Sequence, residues 1–98
     1  AETIDQRVSN LWQLALVGLH DAGFRVAPGE QPLELARRVG LEGMTTCAAV
    51  LERARHGVRV DAADGEAMTA AAESVYMAAR ARAGLVARAA GAVRWPLA

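Results

Sequence analysis

Apolar side chains recur at every third or fourth position near the start of the chain, and this spacing constrains the fold more than any other feature. The stripe begins at Ile4 and ends at Leu19, and Thr3 with Gln6 can form a capping box before it. Gly23 follows as a left-handed C-terminal cap. Alanine supplies 23 of the 98 residues and the aromatic residues only four, which favours helix over sheet. The sequence therefore predicts an all-α chain.

Glycine and proline residues divide the rest of the chain into three further helical segments. Pro32 suits the first position of a helix, and Asp61 can cap the start of another. The four predicted helices cover residues 3–22, 32–39, 44–56 and 61 to beyond 82. We expect them to form one domain, a compact bundle of about four helices with a long last one. Its core is expected over residues 3–83, with a basic, alanine-rich extension over residues 84–98.

The apolar stripes also predict which side chains are buried. The expected core includes Leu11, Trp12, Leu16, Leu19, Leu33, Ala36, Leu51, Val75 and Ala79. The stripe of the fourth helix is expected to continue to Val86. Cys47 is the only cysteine and falls on the apolar face of the third helix, so we expect a small buried side chain without nucleophilic reactivity.

Charge and residue content exclude several classes of site. Eleven arginines balance eleven acidic residues, so net charge predicts no general attraction to nucleic acid or membrane. The chain contains no lysine and no glycine-rich phosphate loop, which excludes a Walker-type nucleotide site. His20 and His56 each fall in the last turn of a predicted helix, where a cation complements the helix dipole. We therefore expect no catalytic residue, no metal site and no cofactor.

A helix-turn-helix domain over residues 33–56 is the alternative interpretation. The run from Leu35 to Leu41 is typical of its first helix and turn, with Gly40 in the turn. The second helix, however, starts with the run EGMT from Glu42 and offers no arginine there to contact phosphate or guanine. We expect no nucleic acid as a partner.

Two motifs lie near the middle of the chain, RVAPGEQPLELARR over residues 25–38 and LERARHG over residues 51–57. They resemble the PGETPxEYARR and YERARYG stretches of the C-terminal domain of unknown function found in bacterial transglutaminase-like membrane proteins. The likeness covers about residues 8–82. The positions that differ from the family pattern are Gln31, Leu35, Leu51 and His56.

The resemblance implies a small accessory domain rather than a catalyst. In that family the domain follows the last transmembrane helix and faces the cytoplasm, and the papain-like Cys-His-Asp site lies in a separate extracytoplasmic domain. We therefore expect a non-catalytic helical interaction or regulatory domain at the cytoplasmic face of the bacterial inner membrane. The chain begins at Ala1 rather than at a methionine, and we expect it to be a piece of that longer protein.

Charged residues of the two motifs form the first group of candidate interaction residues. Glu34, Arg37 and Arg38 belong to this group, since all three fall on the second helix. Glu34 with Arg37 or Arg38, and Glu52 with Arg55, are spaced three or four residues apart and can pair along the surfaces of their own helices, the alternative being a solvated face. We also expect Glu34, Arg37, Glu52 and Arg55 to join the second and third helices through charge-assisted hydrogen bonds.

The basic end of the chain forms the second group, because no acidic residue follows Glu73. Its candidate interaction residues are Arg80, Arg82, Arg88, Arg94 and Trp95. Positive charge beside apolar side chains suits docking onto other domains of the parent membrane protein, a cytoplasmic protein or an anionic membrane surface. The alternative is that Leu85 and Val86 complete the core and the arginines keep an alanine-rich helix in solution.

Overall fold

A computed structural model describes the chain over residues 2–94, with side chains over residues 2–89. The helices of this part are α1 (Ile4–Asp21), α2 (Pro32–Val39), α3 (Met44–Arg55) and α4 (Ala62–Arg94). No strand occurs within residues 2–94. The prediction of an all-α bundle of four helices with a long last one is confirmed.

Local hydrogen bonds explain where the helices begin and end. At the start of α1, the Gln6 N–H donates to Thr3 Oγ1 at 3.1 Å and the Thr3 N–H donates to Gln6 Oε1 at 2.9 Å. Asp61 and Asp64 make the same reciprocal pair before α4, at 2.9 and 3.1 Å. The capping box and the Asp61 cap predicted from the sequence are both confirmed. Gly23 has a φ of 90° after α1, as a left-handed cap requires.

The long-range contacts define how the helices are arranged. Helices α1 and α4 lie side by side and parallel, because Arg7 donates to Thr69 at 2.9 Å near their starts and Gly18 lies against Tyr76 further along. Helix α3 packs against all three other helices. It runs antiparallel to α4, because Gly43 lies against Ala71 whereas Cys47, later in α3, lies against the earlier residue Met68. Its start approaches α4 so closely that a Cβ on Gly43 would lie 2.5 Å from the Ala71 carbonyl oxygen.

The core lies where α3 meets α1, α2 and the first part of α4. The predicted core residues that are buried are Trp12, Leu19, Ala36, Leu51, Val75 and Ala79. Leu11, Leu16 and Leu33 are partly buried and pack against this core. Cys47 is 0% exposed, as its position on the apolar face of α3 predicted. Met44 and Met68 are fully buried beside it.

Helix α4 continues well past the bundle. The end of α1 lies level with a point about two-thirds of the way along α4, because Asp21 shares a cleft with Ala83 and Gly84. Beyond that point α4 continues unbroken through residues 84–94, roughly 16 Å at the usual helical rise. We call this segment the α4 end. Val86 is 57% exposed there, so the prediction that it is buried is wrong, and the reason is that α1 stops too early to cover it.

Candidate functional site

The first sequence motif folds into a loop held by one arginine. Arg38 Nε lies 2.8 Å from Glu30 Oε2 and its Nη2 lies 2.9 Å from Glu30 Oε1, a bidentate pair. The same Nη2 donates to the Arg25 carbonyl oxygen, and the Ala27 N–H donates to Glu30 Oε1 at 3.0 Å. Arg38 and the Ala27 N–H lower the pKa of Glu30 from 4.5 to about 2. The motif therefore fixes the path of the chain between α1 and α2.

The second motif holds the loop between α3 and α4 in the same way. Arg53 contacts both carboxylate oxygens of Asp64, at 3.0 and 3.2 Å, and donates to the Arg59 carbonyl oxygen at 3.3 Å. Two hydrogen bonds lower the pKa of Asp64: the larger effect comes from the Asp61 N–H and the next from the Arg53 guanidinium. Each motif thus contributes one arginine that joins a carboxylate and a loop carbonyl.

These contacts correct the predicted charge pairing. The expected bonds joining α2 and α3 through Glu34, Arg37, Glu52 and Arg55 do not form. Glu34 and Arg37 are exposed and belong to no ion pair in the described part of the chain. Glu52 Oε2 lies 3.3 Å from Nε2 of His56, one turn along its own helix. The arginines that do form ion pairs in the described structure are Arg38 and Arg53, and each also donates to a carbonyl oxygen in a loop. Helical spacing does not predict contacts of this kind.

A groove lies between α1 and the loop that precedes α2. Its larger part is a cleft of about 310 Å³ lined by Leu16, Leu19, His20, Phe24, Arg25, Val26 and Leu35. Its smaller part, of about 160 Å³, is lined by Trp12, Leu16, Val26, Glu30, Pro32, Leu35 and Arg55. The two parts share three apolar residues, so we describe them together as the α1–α2 groove. Sequence reasoning missed it; Phe24 and Val26, apolar residues within a loop, were the available signal.

The arginines of the basic end have distinct surroundings. The Arg82 guanidinium lies 4.5 Å from the centre of the Phe24 ring, a cation–π contact between α4 and a wall of the groove. Arg80 lies over Tyr76 of its own helix, 5.8 Å from the ring centre. Arg88 is exposed on the α4 end. The side chain of Arg94 and the whole of Trp95 lie outside the described residues.

The titratable side chains give little support for nucleophilic catalysis or metal binding. Burial raises the pKa of the Cys47 thiol to about 11, so the thiolate needed for nucleophilic attack is scarce at neutral pH. His20 is exposed on the rim of the α1–α2 groove. Among the described residues, no group of three or more His, Cys, Asp or Glu side chains could hold a metal ion.

The α2–α3 pair differs from a DNA-reading unit in what its second helix exposes. Helix α3 packs against all three other helices. Its first turn exposes Thr45 and Thr46, and Arg53 further along is paired with Asp64. The first turn of α3 therefore presents no arginine, asparagine or glutamine for base contacts.

Comparisons of the chain with protein families, with characterised proteins and with solved structures found no match. No helix among the described residues has the length and apolar character needed to cross a bilayer. The α1–α2 groove and the α4 end are therefore the features of the described chain that bear on function.

Proposed function

We propose that this chain is a non-catalytic helical interaction domain that docks a protein partner at the end of the bundle from which α4 protrudes. The observation that carries the proposal is the exposure of Leu85, at 64%, on the segment of α4 that extends past the end of α1. A helical segment as short as the α4 end is only marginally stable in water when nothing packs against it. Its apolar surface gains stability when another surface covers it. The α4 end is therefore suited to a role in binding.

The proposal extends to the parent protein. We infer that the domain belongs to a bacterial transglutaminase-like membrane protein and lies at the cytoplasmic face of the inner membrane, where it has a regulatory or assembly role. The support is the pair of motifs that resemble that family, since Glu30, Arg38 and Arg53 each have a definite structural task within them. The basic character of the chain after Glu73 favours an acidic partner, such as another domain of the parent protein or a cytoplasmic protein.

The helix-turn-helix alternative has less support from the geometry. A DNA-binding helix of this class needs an exposed first turn carrying basic or amide side chains. Thr45 and Thr46 occupy those positions, and Glu42 precedes them. An anionic membrane is the other competing partner, and the test below separates it from a protein.

Site-specific photo-crosslinking in the full-length protein tests the proposal. A photoreactive residue at Val86, on the α4 end, is compared with one at Ala70, an exposed position of α4 beside the bundle. We expect a protein crosslink from position 86 and little from position 70. The crosslink from position 86 should disappear when Leu85 is also replaced by serine (L85S), at an unchanged melting temperature. Equal crosslinking from both positions, or crosslinks from position 86 to lipid alone, would refute a protein-docking role for the α4 end.

A further inference from the structure

The geometry points to the α1–α2 groove as the anchoring site for one kind of partner segment, a peptide in which an apolar side chain is flanked by carboxylates. This inference rests on the proposed function, because it names what an interaction domain of this shape would recognise. The α4 end would contact the rest of the same partner.

The shape of the groove sets the size of the anchor. The larger cleft, about 310 Å³, is at the low end of the range for small-ligand sites, so it suits one or two side chains better than a large cofactor. Leu16, Val26 and Leu35 line both parts and form a continuous apolar surface. Val26 is 51% exposed without a partner, and an apolar side chain seated beside it would remove that surface from water.

The charges around the groove select against basic and neutral partners. Among its described lining residues, the only carboxylate is that of Glu30, which Arg38 already neutralises in a bidentate pair. Arg25 and Arg55 line the groove and belong to no ion pair in the described part of the chain. Two uncompensated guanidinium groups beside an apolar floor complement a segment that carries both leucine-like and acidic side chains.

The walls of the groove are fixed before any partner arrives. Arg38 holds the loop through Glu30 and the Arg25 carbonyl oxygen, and Arg82 covers one face of Phe24. A site whose walls are already ordered loses less conformational entropy on binding. Arg82 also lies just before the α4 end, so a segment seated in the groove would lie near the protruding helix.

Binding of designed peptides to the full chain tests the inference. The probe is a short synthetic helix with leucines along one face and glutamates beside them; one matched peptide carries serine for leucine and another carries lysine for glutamate. We expect the leucine–glutamate peptide to shift the amide resonances of Phe24 and Val26, and to bind at least about tenfold more tightly than either matched peptide. Its affinity should fall as salt rises.

Two pairs of variants separate groove binding from general attraction. V26D puts a carboxylate into the groove, whereas V58D changes a valine of similar exposure, 50%, in the loop after α3. We expect V26D to weaken binding at least about tenfold and V58D less than about twofold. R25Q removes a guanidinium that lines the groove and should weaken binding of the peptide. R59Q removes one outside the groove and should leave the affinity unchanged.

Equal affinity of V26D and V58D, or equal affinity for the lysine peptide, would overturn the inference. Absence of binding would overturn it too. A protein crosslink from position 86 that persists under those results would leave the proposed function standing, so the two failures are distinguishable.

Discussion

The two parts of α4 are both alanine-rich but have opposite surroundings. Between Ala62 and Ala83 the helix buries Met68 and Val75 completely, and α1 and α3 cover that face. In the α4 end, Leu85 and Val86 continue the alanine-rich sequence and are mostly exposed. The difference lies in α1, which ends at Asp21 and leaves the rest of α4 uncovered.

This contrast teaches what apolar periodicity measures. The spacing of apolar residues reports the phase of a helix, so it identifies the face that would be buried if a neighbour were present. It carries no information about the length of that neighbour. Val86 lies on the face that continues the buried stripe of Val75 and Ala79, but no described helix reaches it. The described side chains of the α4 end are therefore exposed because α1 is too short to cover them. Substitutions in the packed part of α4 and in the α4 end should have different effects on stability.

The largest expected difference comes from a matched pair of glycines. Gly43 has a φ of 91°, and a Cβ there would lie 2.5 Å from the Ala71 carbonyl oxygen of the packed part of α4. A Cβ on Gly84, at the start of the α4 end, would meet nothing within 4 Å. We expect G43A to lower the free energy of unfolding by about 3 kcal/mol or more. G84A should raise it by up to about 1 kcal/mol, because alanine favours helix.

Urea denaturation of both glycine variants checks this expectation, with helix content measured by circular dichroism. A stable G43A protein would mean that α3 is not pressed against α4 at Ala71. A destabilised G84A protein would mean that the α4 end packs against part of the chain instead of protruding.

A matched pair of valines gives the next largest difference. Val75 is 0% exposed in the packed part of α4, and Val86 is exposed in the α4 end. We expect V75A to cost about 2 kcal/mol, from lost burial and the cavity left behind, and V86A to stay within about 0.5 kcal/mol. The unfolding free energies of the two variants should therefore differ clearly in the isolated chain. Equal costs would mean that Val86 is buried in solution.

Much of the fold was predictable because the signals that delimit helices are local. The Thr3–Gln6 capping box, Pro32 and the Asp61 cap each act within one turn of chain, so the sequence carries them directly. The burial of Cys47 followed from helical periodicity in the same way.

The candidate site was less predictable, because it depends on the path of a loop. Helical spacing places Glu34 one turn before Arg38, yet Arg38 pairs with Glu30, which the turn at Pro28 and Gly29 brings back toward α2. The α1–α2 groove exists because that loop carries Phe24 and Val26 across α1, and no periodic pattern describes such a path. The basic character of the chain after Glu73, in contrast, follows directly from the sequence, because it does not depend on the path of any loop.

The smallest expected difference comes from a matched pair of arginines, and it depends on pH. Arg38 holds the α1–α2 loop of the bundle, whereas Arg88 is exposed on the α4 end. Folding lowers the pKa of Glu30 from 4.5 to about 2, so the folded state favours the ionised carboxylate. The resulting stabilisation is complete above pH 4.5 and is lost as the pH falls toward 2.

We expect R38Q to lower the melting temperature above pH 4.5 by less than V75A does, because the guanidinium is partly exposed and water screens the pair. The gap between wild type and R38Q should narrow as the pH falls toward 2, where protonated Glu30 no longer gains from the arginine. R88Q should follow the wild-type melting curve throughout, since no carboxylate in the described structure pairs with Arg88. Melting temperatures of the three proteins from pH 7 to 2 measure these differences.

A difference in melting temperature between wild type and R38Q that stays constant with pH would assign the effect of R38Q to lost packing rather than to the Glu30 pair. A pH-dependent difference for R88Q would mean that the α4 end contacts an acidic surface of the bundle.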